Sequence, residues 1–217
     1  MSLEFLRQIN AWSLLDQQKI DFKYDDFGWF NAEGLVDWLI AELQPELIIE
    51  VGCYKGKSTI YIGQLIKKMG LSTKMICIDT WLGSCEHMSE SDSFHPFKLY
   101  GQFLFNIKYC QLNNVVIPLQ QTSANAGRIL KKLNIKSNLI ILDGSHEYED
   151  VLLDLSLFSK LLSPGGVILL DDYNSCWTGV TRAIGEFMFK NDKNFIFKDC
   201  KNNMCAIQHK EMKGDIE

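Results

Sequence analysis

The chain has 217 residues, 47% apolar and 23% charged, with a formal net charge of -5. That length can bury one substantial core near the upper end for a single domain, and the composition is that of an ordinary globular protein. The negative balance argues against a nucleic-acid backbone as partner, since Lys67-Lys68 and Lys131-Lys132 are isolated basic pairs near expected helix ends.

In chain order, residues 3–15 read as an amphipathic helix with Leu3, Leu6, Trp12 and Leu15 as candidate core contacts. An aromatic and acidic stretch over 20–30 is broken by Gly28, and Asn31 is placed to cap a second helix that runs to Leu43, ahead of Pro45. Residues 1–44 are expected to form a helical cover packed on a main domain of residues 45–217. Strands and helices then alternate: strand 47–51, helix 58–70, strand 75–78 ending at Asp79, a long excursion over 80–97 and helix 99–110. Strand 115–119, helix 123–133, strand 139–142 ending at Asp143 and helix 148–162 continue the pattern. Pro164-Gly165-Gly166 is expected to turn the chain into strand 167–170, which ends at Asp171-Asp172. Helix 181–189 precedes strands 195–198 and 204–208, joined at Asn202-Asn203. Nearly continuous apolar strands alternating with helices indicate an α/β, doubly wound fold. Its sheet should be seven-stranded and mostly parallel, with helices on both faces and an antiparallel edge hairpin.

The turn after the first strand carries the most information. Glu50-Val51-Gly52-Cys53-Tyr54-Lys55-Gly56-Lys57-Ser58-Thr59 looks like a phosphate-binding loop but is one residue short. That loop needs four residues between its first glycine and the Gly-Lys-Ser/Thr end, and Gly52 and Gly56 have three. A polyphosphate would also meet like charge at Glu50. The turn instead suits a ligand with a cationic amino group and ribose hydroxyls. Glu50 can face the ammonium, Gly52 and Gly56 let the backbone pass closely beneath the ligand, and Ser58 can cap the helix or offer its hydroxyl. Asp79 offers two acceptor oxygens to a vicinal diol. The plainer alternative is that the glycines only shape a tight turn and Asp79 only ends its strand.

Glu50, Asp79, Asp143 and Asp171-Asp172 all fall at or just past carboxyl ends of expected strands, the rim where open α/β sheets bind ligands. Asp143, Asp171 and Asp172 converging without a cation would repel one another, a conflict that Mg²⁺ or another hard divalent ion resolves. Both Asp171 and Asp172 can serve one ion only if the chain turns there, because successive strand residues face opposite ways. His146, three residues beyond Asp143, is a candidate base, or else a helix cap.

These residues resemble the S-adenosylmethionine-binding half of class I methyltransferases, over about residues 45–208. The resemblance places Glu50 and Gly52 near the methionine end, Asp79 at the ribose, and Thr122 and Ser123 beside adenine; Tyr54 and Trp81 join them as cofactor-binding candidates. The second half is similar to the metal-dependent O-methyltransferases, catechol-type and macrolide-sugar branches included. Asp143 matches the aspartate after their fourth strand and Asp171 the aspartate of their later Asp-Asn pair, while Asp172 replaces the asparagine. His146 stands where the catechol-type enzymes have a lysine base, which shifts the expected acceptor from a phenol toward a sugar or other polyhydroxylated metabolite. Asp143-Gly144-Ser145-His146-Glu147-Tyr148 also matches a bacterial group with Asp-Gly-x-His-x-Tyr after strand four. The resemblance implies Mg-assisted O-methylation. A nicotinamide-dependent oxidoreductase would need Gly-x-Gly-x-x-Gly, which this turn lacks; a noncatalytic metabolite-binding module is the other alternative.

Trp81 and the segment through Pro96 can fold over the pocket, with Phe27, Trp29, Tyr100 and Phe103 as further walls. His87 and His95 form no recognisable zinc site. The N-terminal helices can cover the pocket or make a homo-oligomer contact. Seven scattered cysteines without a Cys-x-x-Cys pair suggest a reducing compartment. No apolar run approaches the ~20 residues of a membrane span, and Glu4, Arg7, Asn10 and Asp16 rule out a signal sequence, so a cytoplasmic location is expected.

Overall fold

The structure is a computed structural model that describes residues 3, 11–17, 21–84 and 96–210. Helices α1 (Ala11–Gln17) and α2 (Glu33–Leu43) precede β1 (Leu47–Val51), α3 (Lys57–Lys68), β2 (Lys74–Asp79), α4 (Pro96–Tyr109) and β3 (Val116–Gln120). Then come α5 (Ser123–Lys132), β4 (Ser137–Leu142), α6 (Tyr148–Phe158) with a 3-10 turn at Ser159–Leu161, and β5 (Leu162–Leu170). Helix α7 (Thr178–Lys190) leads to β6 (Phe195–Lys201) and β7 (Met204–His209). The strands form one seven-stranded sheet in the order β3-β2-β1-β4-β5-β7-β6. Strands β1 to β5 pair in parallel, and β7 joins β5 and β6 antiparallel. This is the doubly wound α/β sheet with an edge hairpin that the sequence indicates.

Alternation along the strands feeds two cores. Ile49, Val51, Ile78, Ile140, Leu142 and Ile168 pack on one face against residues of α5, α6 and α7, including Leu130, Leu155 and Ile184. Ile48, Met75, Cys77, Ile141 and Leu169 pack on the other against Leu39, Ile62 and Phe103 of α2, α3 and α4. Each such fully buried aliphatic side chain contributes roughly 1.5–3 kcal/mol through its removal from water. From β1 the chain winds outward to β2 and β3, then crosses back to β4. The carboxyl ends of β1 and β4 therefore flank the point where strand order reverses, and a crevice opens there.

Three local readings are corrected. Ala32, not Asn31, occupies the cap position of α2, without a side-chain cap bond; the Asn31 carbonyl instead accepts from Asn202 Nδ2 at 3.4 Å. Pro164-Gly165-Gly166 lies inside β5 as a bulge, since Ser137 pairs with Leu162 and Leu139 with Val167. The helix after His146 ends at Phe158 and tightens into the 3-10 turn rather than running to residue 162. Of the expected helix over 3–15, residues 4–10 lie outside the described residues, as do 85–95 of the excursion after Asp79, with His87 and His95.

Candidate active site

Glu50 is the penultimate residue of β1 and points into the protein, with 0% exposure. Ser58 Oγ and Thr59 Oγ1 donate to its two oxygens at 2.5 and 2.6 Å. Burial raises its pKa, and these hydroxyl bonds work against the rise. Glu50 thus ties the first turn of α3 to β1 and is not brought to a ligand-facing wall. The bare sides of the two glycines are likewise taken up by protein. A Cβ on Gly52, whose φ is +87°, would stand 1.7 Å from the Asp143 carbonyl oxygen. One on Gly56 would meet the Phe103 ring at 3.2 Å.

Asp79 ends β2 facing the crevice, and each carboxylate oxygen accepts a backbone amide: Tyr54 N at 2.9 Å and Trp81 N at 2.7 Å. Those bonds fix the carboxylate while leaving further lone pairs for a diol. Trp81 turns the other way, at φ 51°. Its indole is 1% exposed, donates to the Tyr54 carbonyl at 2.8 Å, and packs against Tyr100 and Phe103 at 4.5 and 4.8 Å. It braces the turn from behind.

A cavity of about 930 Å³ fills the crevice, at the upper end of the range for small-ligand sites. Gly52, Tyr54, Ser58, Asp79, Thr122 and Ser123 line it, whereas Glu50, Gly56 and Trp81 do not. Thr122 also caps α5 by accepting Asn125 N at 3.2 Å.

Asp143, His146, Asp171 and Asp172 line the same cavity. The Asp143 amide bonds the Val51 carbonyl and the Asp171 amide bonds that of Leu142, which brings three neighbouring strand ends together. The turn needed at Asp171-Asp172 is present: Asp172 has φ 57°, and its carbonyl accepts from Asn174 N at 2.8 Å. His146 Nε2 lies 2.9 Å from Asp172 Oδ2, and the imidazole stacks on Trp177 at 4.0 Å. Donor atoms of Asp143, His146 and Asp172 all fall within 4.8 Å of one another, a spacing that one cation can bridge. Asp171 is outside that trio; its Oδ1 accepts the Asp172 amide at 2.7 Å. Desolvation, then the charges of Asp171 and Asp172, push the Asp143 carboxyl well above the usual range. Burial, reinforced by the Asp172 charge, also raises Asp171, against the pull of the amide bond. A bound cation would relieve both, so the residues fit a hard divalent ion.

Sequence reasoning missed Asp154, a buried carboxylate on the cavity wall. Its signal was present: Val151, Asp154, Leu155 and Phe158 share the inward face of α6, so one acid sits at core spacing. It also missed Trp177, Asn202 and Asn203, which reach the cavity only through tertiary placement.

The glycine turn after β1 and the acid ending β2 thus meet at one crevice of a doubly wound sheet, the arrangement of a nucleotide-type ligand site in open α/β folds. A methyltransferase-domain family model matches residues 49–173, and the chain belongs to that family. An uncharacterized protein of Sinorhizobium fredii is 28% identical over 145 residues, covering 66% of this chain and 15% of that protein. A rhamnosyl O-methyltransferase of Mycobacterium tuberculosis is 25% identical over 138 residues, covering 63% of this chain and 49% of the relative. The chain thus spans about half or less of the length of these curated relatives. The solved O-methyltransferase from Bacillus cereus, in complex with SAH, shares the fold: TM-score 0.60 at 16% identity, over 96% of this chain and 90% of that one. Among the described residues, no helix is long and apolar enough to cross a membrane.

Proposed function

We propose that the protein transfers the methyl group of S-adenosylmethionine to a hydroxyl oxygen of a small polyhydroxylated acceptor, such as a sugar, with help from Mg²⁺ or a similar hard cation. The observation that carries this reading is that Asp79 and the Asp143–His146–Asp172 group open onto one cavity. A donor held at one end and an acceptor at the other would meet there in fixed orientation, with water excluded. The rhamnosyl O-methyltransferase relative adds support for a sugar hydroxyl.

Asp79, with both oxygens steadied by amides, would accept the ribose hydroxyls. Gly52, Tyr54 and Ser58 would border the methionine end, and Thr122 and Ser123 the adenine. Glu50 and Trp81 act as positioning residues. Asp143, Asp171 and Asp172 would hold the cation, which when bound would favour the ionised form of an acceptor hydroxyl. His146, oriented by Asp172 and by its stack on Trp177, would receive the acceptor proton. The 4.8 Å grouping favours a second role for His146, as a cation ligand in place of Asp171.

Calorimetry with S-adenosylmethionine, with and without MgCl₂, followed by product-mass screening over hydroxylated sugars and metabolites, tests the proposal. Methyl transfer undiminished in a chelator would remove the cation. His146→Ala separates the two histidine roles: slowed turnover at unchanged Mg²⁺ affinity marks the base, and lost affinity marks the ligand.

A further inference from the structure

The edge hairpin carries two thiols face to face. Cys200 in β6 and Cys205 in β7 are direct cross-strand partners, with sulfurs 3.5 Å apart. Only Asn202 and Asn203 separate the paired residues Lys201 and Met204, and both have positive φ, 52° and 65°. That is the two-residue hairpin geometry, in which the pair next to the turn is hydrogen-bonded and the following pair is not. Cys200 and Cys205 occupy this second position, where Cα atoms approach to about 4.5 Å, at the short end of the disulfide range. Cys200 is exposed and Cys205 buried. Burial raises the Cys205 thiol, so a reagent in solution would meet Cys200 first. Cys53 and Cys77, by contrast, are 2% and 0% exposed, each with its sulfur against Glu50.

The turn between the two sulfurs belongs to the cavity wall. The Asn203 carbonyl accepts the Tyr173 amide at 2.6 Å, next to Asp171-Asp172, and Asn202 Nδ2 reaches the Asn31 carbonyl at 3.4 Å. We infer that Cys200 and Cys205 form a reversible thiol–disulfide pair, and that its oxidation clamps the Asn202-Asn203 turn against the acidic end of the cavity. The inference goes beyond the methyl-transfer reading, and its covalent part holds whatever the acceptor. The oxidant is a low-molecular-weight disulfide. Cys200 thiolate attacks one of its sulfurs, giving a mixed disulfide and releasing one thiol. Cys205 then loses its proton to solvent and attacks Cys200 Sγ, releasing the second thiol. Two protein thiols are oxidised to one disulfide, and one small disulfide is reduced to two thiols.

The test equilibrates the full chain with graded ratios of oxidised to reduced glutathione, then alkylates free thiols and maps peptides without reduction. The expected product is a Cys200–Cys205 link, lighter by two hydrogens and reversed by excess reduced glutathione, with Cys53 and Cys77 still free. Glutathione retained on Cys200, or Cys200 linked to Cys176, would overturn the pair. In Cys205→Ser the glutathione adduct on Cys200 should persist, because the resolving thiol is gone; an adduct that still clears would argue against Cys205. Because Cys205 is buried, circular dichroism checks that variant, and the wild-type map decides independently of it. Hydrogen exchange supplies the second readout: the Tyr173 amide should exchange several-fold more slowly after oxidation. Equal exchange in both forms would overturn the clamp.

Discussion

Asp154 is 6% exposed on the inward face of α6, where burial outweighs its Ser123 hydrogen bond and, with the Asp150 charge, lifts its pKa from 3.8 to about 6. A folded-state value above the unfolded one means that the native state holds the extra proton. The group's contribution to stability is therefore full below pH 3.8 and is lost as pH rises through 6. A shift of that size corresponds to roughly 3 kcal/mol. Asp154→Asn keeps the shape without the charge, so its urea-unfolding stability relative to the parent should rise between pH 4 and pH 7.5 by up to that amount. A pH-independent difference would mean that the carboxylate is not strained by burial. Asp79 makes a complementary case at the cofactor end. Asp79→Ala removes the acceptor for the Tyr54 and Trp81 amides and for the proposed diol, and hydrogen bonds to a charged group are worth about 1.5–3 kcal/mol. S-adenosylmethionine affinity by calorimetry should fall roughly 10- to 100-fold; unchanged affinity would place the ribose elsewhere.

The β1–α3 turn and the end of β4 behave as one piece. Gly52 N bonds the Ile78 carbonyl on one side, and its missing Cβ leaves room for the Asp143 carbonyl on the other. Gly52→Ala adds a side chain at φ +87° and forces a 1.7 Å clash with backbone, so the strand ends must separate. A loss on the order of 3 kcal/mol or more is expected in denaturant titration, with cofactor and cation binding both weakened. A variant with parental stability would show that the two turns are not so coupled. The strands themselves were legible in sequence, because parallel strands covered on both faces read as apolar runs stopped by an acid. Which way an end residue faces was not legible. All of β1 is buried, so no polar–apolar alternation marks Glu50 as inward. Trp81 faces the core because its left-handed backbone reverses it, a property of the turn rather than of residue type. Pro164-Gly165-Gly166 reads locally as a strand break, yet the pairing resumes around it and absorbs it as a bulge.

At the scale of the molecule, the fold gathers acids from three strands at one crevice and pins an aromatic segment at its mouth. Asn106 of α4, fully buried, accepts the Asp25 amide and donates to the carbonyls of Asp25 and Lys55, at 3.2, 2.7 and 2.8 Å. Lys55 adds an ion pair to Asp25 at 2.7 Å. So anchored, the segment presents Trp29 at the cavity wall, where it stacks on Tyr54. Trp29 is legible in the sequence as an aromatic wall, but its anchors are not, because residues 25, 55 and 106 meet only in the fold. The acidic crevice in a chain of net charge -5 carries a consequence for global stability. A cation bound only by the native state stabilises every part of the domain through linkage, by about 2.7 kcal/mol at one hundred times its dissociation constant. For a chain of this size that amounts to a Tm rise of roughly 5–10 °C. MgCl₂ should therefore raise Tm where equal ionic strength from NaCl does not, and Asp143→Asn with Asp172→Asn should abolish the difference. Carboxylates that repel one another in the native state also predict that the double variant, without Mg²⁺, melts at or above the parent. A parent indifferent to Mg²⁺ would leave the crevice without its cation, whatever activity it showed.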